Sequence, residues 1–157
     1  EREITIREMH SDEVEKLVDL VVSVFEDVSV AKNTTDRFGA VNGHDWREMK
    51  GDSARDDITT ADVVLVGEVT GELAAMATLR YEKKTAIGHI MHVAVAASAQ
   101  GRGIGRSVVR DALDRMRRDG MKYARIEALE QNPRAERLYR GEGFEEVARK
   151  IMLFRPL

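Results

Sequence analysis

Gln100-Gly101-Arg102-Gly103-Ile104-Gly105-Arg106 decides how this chain is read. Its three glycines alternate directly after the run His92-Val93-Ala94-Val95 and directly before the amphipathic stretch 104–118. A strand that enters a glycine turn and then a helix aims several backbone N–H groups, and the positive end of the helix dipole, at one point. Such a point suits a phosphate or pyrophosphate, and Arg102 and Arg106 flank it with charge for anionic oxygens. The spacing is not the dinucleotide fingerprint: its last glycine would fall on Arg106 or Val108. The Gly-Lys-Ser/Thr ending of a nucleotide-binding phosphate loop is absent as well. The plain alternative is a strand-to-helix connector that uses glycine for positive φ.

Outward from that turn the chain reads as alternating elements. Upstream, residues 63–69 and 73–81 are apolar strands broken by Thr70-Gly71, a hairpin signal, and 86–95 is a third strand. Downstream, Ile104, Val108, Val109, Ala112, Leu113 and Met116 share one face of a helix over 102–119, with Gly120 as its stop. Residues 123–129 read as a strand. Pro133 opens a helix to 140 with Asn132 as its cap, and 144–154 reads as a last strand. At the start, Ile4 and Ile6 alternate with polar residues. Ser11 suits an N-cap before the stripe Val14, Leu17, Val18, Val21, Val24, Phe25 and Val28. Between 32 and 60 the pattern weakens, and one irregular helix with loops is expected there. The whole is an α/β (α+β) domain over 1–157, a mixed central sheet of about six or seven strands flanked by about four helices.

Bulk composition narrows the function classes. The chain has 157 residues, 43% hydrophobic and 34% charged, which is the composition of a globular domain with a proper core. The net charge of -3 gives no basic field for nucleic acid. The absence of cysteine excludes thiolate catalysis and Cys-based zinc sites. No apolar run approaches the ~20 residues of a membrane span, and Glu1-Arg2-Glu3 has no signal-peptide character. A cytoplasmic protein is expected, without nucleic-acid or membrane partners.

A second motif lies about thirty residues after the turn. Asn132, Ala135, Leu138, Tyr139, Gly143 and Phe144 form an Asn-x-x-Ala-x-x-Leu-Tyr…Gly-Phe pattern, while Gln100, Gly103 and Gly105 fit Gln/Arg-x-x-Gly-x-Gly/Ala. Together they resemble the acetyl-CoA-binding core of the GCN5-related N-acetyltransferase family, specifically across 87–144 and only in topology over 4–60. The resemblance implies a splayed strand pair forming a CoA cleft, with free backbone groups of Val93, Ala94 and Val95 pairing the pantetheine arm. It implies N–H groups from Gly101, Arg102, Gly103, Ile104, Gly105 and Arg106 on the pyrophosphate, with Gln100 opening the motif. It places Asn132 on the cofactor arm, although simple capping explains the same residue. Tyr139 would lie at the cofactor sulfur as general acid; taken alone it reads as a packed aromatic.

The implied reaction is direct transfer of acetyl from acetyl-CoA to a primary amine of a small molecule or peptide. An alkylammonium has pKa ~10.4, so a group must take its proton. His89 matches the strand position where relatives carry a glutamate or histidine, and it is the candidate general base. His92, three residues on, belongs to the opposite face of a regular strand unless a bulge intervenes. Glu127 is a further candidate. Alternation separates the two histidines, so no metal site is expected. His44, Asp45, Trp46 and Glu48, and more weakly Arg80 and Tyr81, are candidates for holding the acceptor. The resemblance also implies terminal strands that pair or exchange, which leaves a homodimer open. The alternatives are a non-catalytic acyl-CoA-binding or sensor domain, a nucleotide-binding α/β protein, and an interaction module.

Overall fold

Near-continuous apolar runs in 63–69 and 73–79, buried on both faces, and the alternating run 87–95 build three consecutive antiparallel strands at the centre of the fold. The computed structural model describes residues 4–26 and 28–157; the charged start Glu1-Arg2-Glu3 lies outside them. In chain order the elements are β1 (Ile4–Glu8), α1 (Val14–Val24), α2 (Val30–Phe38), α3 (Trp46–Thr60), β2 (Val63–Val69), β3 (Glu72–Glu82), β4 (Ile87–Val95), α4 (Ile104–Arg118), β5 (Tyr123–Ile126) and α5 (Pro133–Gly141). Short 3-10 turns precede α1 (Ser11–Glu13) and follow β4 (Ala97–Ala99). The sheet order is β1-β2-β3-β4-β5, antiparallel except for the parallel pair β4 and β5. The β2–β3 turn is Thr70-Gly71 with φ 53° and 81°, a two-residue turn whose positive φ values match the strand twist.

Helices cover both faces. Leu17, Val18 and Val21 of α1, with Ala54 and Ile58 of α3, bury one face against Val64, Val66, Met76 and Ala94. Val108, Ala112 and Met116 of α4 bury the other against Leu65, Ala75, Ala77, Leu79 and Ile90. Among the described residues no helix is long and apolar enough to cross a membrane.

Several expectations differ from the structure. The mixed α/β fold is as expected; among the described residues the sheet has five strands, against about six or seven, with five α-helices, against about four. Among the described residues, 144–154 form no strand: the Phe144 N–H donates to the Tyr139 carbonyl at 3.1 Å, no residue after it pairs with the sheet, and Val147, Ile151 and Leu153 are 97%, 86% and 85% exposed. A strand requires a neighbour, and apolar composition alone does not supply one. Residues 32–60 hold two good helices instead of one irregular helix. Gly51 lies inside α3 on the side facing α1, where a Cβ would stand at an ordinary contact distance, 3.7 Å, from Val18 Cγ1 and Val22 Cγ2, so the packing tolerates the helix without requiring glycine there. The cap expected at Ser11 shifts by one residue. The Glu13 carboxylate instead accepts from the His10 N–H at 2.7 Å.

Candidate functional site

The irregularity that makes a site lies in β4. Thr78 faces His92 and Leu79 faces Ile90, so Met91 is an extra residue, a β-bulge. The His92 N–H donates to the Thr78 hydroxyl at 3.0 Å instead of to a carbonyl. Past the bulge β4 parts from β5, whose pairing ends at Ile90 with Ile126. Beyond it the Ala96 N–H donates to the Ala74 carbonyl at 2.7 Å. By ladder alternation Ala94 then bonds toward β3, while Val93 and Val95 turn their backbone groups into the gap. The Val95 carbonyl is taken by the Gln100 amide at 3.1 Å, and the Gln100 Oε1 accepts from Arg134 Nη1 at 3.0 Å.

At the end of the gap stands the head of α4. Gly101 and Gly103 have φ 79° and 74°, and Gly103 is the cap residue of the helix. No atom lies within 4 Å of where a Cβ on either would stand, so the turn is an open cradle. The Ser107 N–H is bonded to the Gly103 carbonyl at 3.1 Å, and the N–H groups of the first turn precede it, free of helical partners. These features fit a pyrophosphate. Gly105 does different work. A Cβ there would lie 3.3 Å from Leu138 Cδ2 and 3.5 Å from Val95 Cγ2, so α4, α5 and β4 converge at it. Ile104 is buried core, and Arg102 is exposed. Arg106 pairs with Glu142 at 3.1 Å, as does Arg110 at 2.8 Å.

On α5, the Asn132 Oδ1 accepts from the Ala135 N–H at 3.2 Å, which is the capping bond. Tyr139 packs edge-on against Phe144 at 6.3 Å, and burial pushes its phenol up to about 12.

The bulge also reorders the histidines. His89 stands opposite Arg80, whose guanidinium reaches Thr60 and Asp57 of α3, and Nε2 lies 3.3 Å from Glu82 Oε2. His92 sits under α3 as well: Nδ1 lies 2.8 Å from Asp57 Oδ2 and Nε2 lies 3.1 Å from Lys50 Nζ. The Asp57 oxygen stands off the line of the ring N–H, so that contact is more electrostatic than a linear hydrogen bond. Burial alone would raise the Asp57 carboxyl, but His92, Arg80 and Lys50 together hold it below the usual range. Lys50 and Asp57 escaped the sequence reading. Their seven-residue spacing, two turns of one helix face, was the signal available.

Other candidates are engaged elsewhere. His44 pairs with Glu48 at 2.5 Å, the Asp45 carboxylate caps α3 through the Glu48 N–H, and Trp46 is buried beneath Arg47. The Tyr81 hydroxyl donates to Asp119 at 2.7 Å. Lys150 and Arg125 hold the Glu127 carboxyl below its ordinary range.

Residues 29–144 match the Acetyltransferase (GNAT) family, and the chain belongs to that family. No curated protein sequence matches it. Among solved structures, it is similar to the PaiA N-acetyltransferase of Thermoplasma acidophilum in complex with coenzyme A, at TM-score 0.70 and 14% identity over 91% of this chain and 90% of that one. An aminoglycoside N-acetyltransferase in complex with CoA matches at TM-score 0.66 and 14% identity, over 100% and 97% of the two chains. A transcriptional regulator from Bacillus halodurans matches at TM-score 0.68 and 20% identity, over 98% and 100%. At these identities the likeness is one of fold.

Proposed function

We propose that this protein is an acetyl-CoA-dependent N-acetyltransferase that acts in the cytoplasm by direct transfer to a primary amine. The observation that carries this reading is the continuity of the site: outward-turned backbone of Val93 and Val95 leads along one gap to the free N–H groups at the head of α4. Bound acetyl-CoA supplies an activated acetyl thioester. The N–H groups of residues 101–106 hold its pyrophosphate, with Arg102 adding charge, and Val93 and Val95 pair the pantetheine arm. Asn132 keeps its amide N–H groups to donate to that arm while its oxygen caps α5. Gln100 fixes the edge of the gap through the Val95 carbonyl. Tyr139, a phenol that is protonated at neutral pH as any tyrosine is and that burial pushes up to about 12, donates to the departing sulfur. His89 receives the proton of the incoming amine, and Glu82 stabilises the charge that results.

The acceptor is a small-molecule or peptide amine, and aminoglycosides, the acceptors named for one structural neighbour, head the panel to try. The test is a turnover screen with free-thiol detection over amines and peptides, beside CoA binding by thermal shift. A ligand at 100-fold over its Kd adds about 2.7 kcal/mol of stability. Tyr139→Phe should keep the CoA shift and lose most turnover. A CoA shift with no amine consumed by the unaltered protein would make it a non-catalytic acyl-CoA binder.

The protein acts as a homodimer in this reading. Among the described residues the outer edge of β5 has no strand beside it, and residues 145–157 of the same chain join no sheet and expose Val147, Ile151, Met152 and Leu153. That segment runs by 127–130 through side chains alone, Lys150 to Glu127 and Arg149 to Glu130. A second copy satisfies both the free edge and the free segment.

A further inference from the structure

His92 is a second imidazole beside the β4 gap that the proposed reaction leaves unused. Phe25 meets its ring edge-on at 6.1 Å, and Lys50 Nζ stands 4.3 Å over the face of Phe25 while lying 3.1 Å from His92 Nε2. Hydrogen-bond accounting fixes the proton. A charged Lys50 only donates, so Nε2 accepts, and the single ring proton of a neutral His92 sits on Nδ1 toward Asp57. A lysine present merely to neutralise Asp57 would touch it. Instead Asp57 is met by His92 at 2.8 Å and by Arg80 at 3.5 Å, and the amine is aimed at the imidazole. Amine, base and orienting carboxylate therefore stand in the order of an activated nucleophile.

We propose that Lys50 is itself an acetyl acceptor, modified on Nζ by the acyl donor that the proposed function brings to the adjoining gap. The inference rests on that reading. The Lys50 nitrogen lone pair attacks the thioester carbonyl carbon, so a C–N bond forms and the C–S bond breaks. The electron pair leaves on sulfur, which takes a proton from Tyr139 or solvent. The attacking form is the neutral amine, reached when the ammonium gives one proton to solvent; the second proton, shed by Nζ as the amide forms, goes to His92 Nε2, and ionised Asp57 faces the imidazolium. Burial lowers the Lys50 amine below the usual lysine range while Asp57 pulls it up, which raises the neutral fraction the attack needs.

The test incubates the intact protein with acetyl-CoA and no other amine, then reads intact mass and maps acetylated lysines. The expected result is one acetyl group per chain, on Lys50, at a rate independent of protein concentration and well above that of exposed Lys83 and Lys84. Lys50→Arg removes it, and His92→Gln slows it by about 10²-fold. A CoA-free arm uses p-nitrophenyl acetate, under which Lys50 should again outpace Lys83 and Lys84. Equal labelling of the three lysines in both arms overturns the proposal. So does an unmodified Lys50 in a protein that turns over external amines, and that result leaves the proposed function standing. Absence of any CoA shift overturns both.

Discussion

His89 and His92 project to the same side of β4, toward α3, although residues three apart in a regular strand point to opposite faces. The extra residue Met91 accounts for it, and the two rings then differ in their surroundings. The partner of His89, Glu82, is largely exposed, whereas His92 sits between Asp57 and Lys50 with 9% of its side chain accessible. Replacing His89 by Ala should therefore cost less than about 1 kcal/mol of stability and lower turnover by about 10²-fold. His92→Ala leaves Asp57 short of a partner and should cost about 1–3 kcal/mol. Denaturant unfolding beside thiol-release kinetics separates the two. A His89 variant with unchanged turnover would remove it as the base.

Gly103 caps α4 with φ 74° and faces open space, so a larger residue meets no wall but must adopt a left-handed conformation. Gly103→Val should lose about 1–2 kcal/mol of stability and should fill the cradle. CoA binding by calorimetry is expected to weaken at least tenfold in Gly103→Val. In Gly120→Ala, which carries a similar φ of 88° at the far end of the same helix, it should be unchanged. Equal CoA affinity in all three proteins would show that the cradle binds no phosphate.

The legible part of this fold was the part written in local chemistry. The spans of β2, α4 and α5 came through within about two residues, because periodicity, glycine stops and the Asn132-Pro133 cap are local signals. The bulge at Met91 was not legible, since it depends on register with Thr78 and Leu79 across the sheet. Nor was the Asp57, His92 and Lys50 cluster, whose members lie 35 to 42 residues apart in part and meet only when α3 lies on β4. Residues 144–154 misled because strand-like composition says nothing of whether an edge is available in the same copy.

Acid should act through Glu13. Arg7 donates to both of its oxygens at 2.8 and 2.9 Å, and that bonding holds the carboxyl down at about 2 against an ordinary 4.5. A carboxyl depressed in the folded state contributes stability that is complete above its unfolded pKa and is lost as pH falls through the folded one. The loss should therefore run from about pH 5 to about pH 2. Arg7→Ala should lower stability at pH 7 and flatten the pH dependence in that window. Urea midpoints at a series of pH values check this. An unchanged slope in the variant would assign the acid sensitivity to other carboxylates.

In the proposed homodimer the tail is the joint between the copies. Phe154 rests on Phe38 of α2 with ring centroids 5.0 Å apart, while Val147, Ile151 and Leu153 face water. Apolar residues so exposed are costly in a lone copy and would be covered on a partner's free β5 edge. Light scattering should give a dimer for the full chain and a monomer once residues 145–157 are removed. Ile151→Asp with Leu153→Asp should dissociate the dimer while preserving the helical circular dichroism of the core, because both side chains are largely exposed. A monomeric full-length protein at high micromolar concentration would mean that the segment has another use, and the free edge of β5 would then need a different guard.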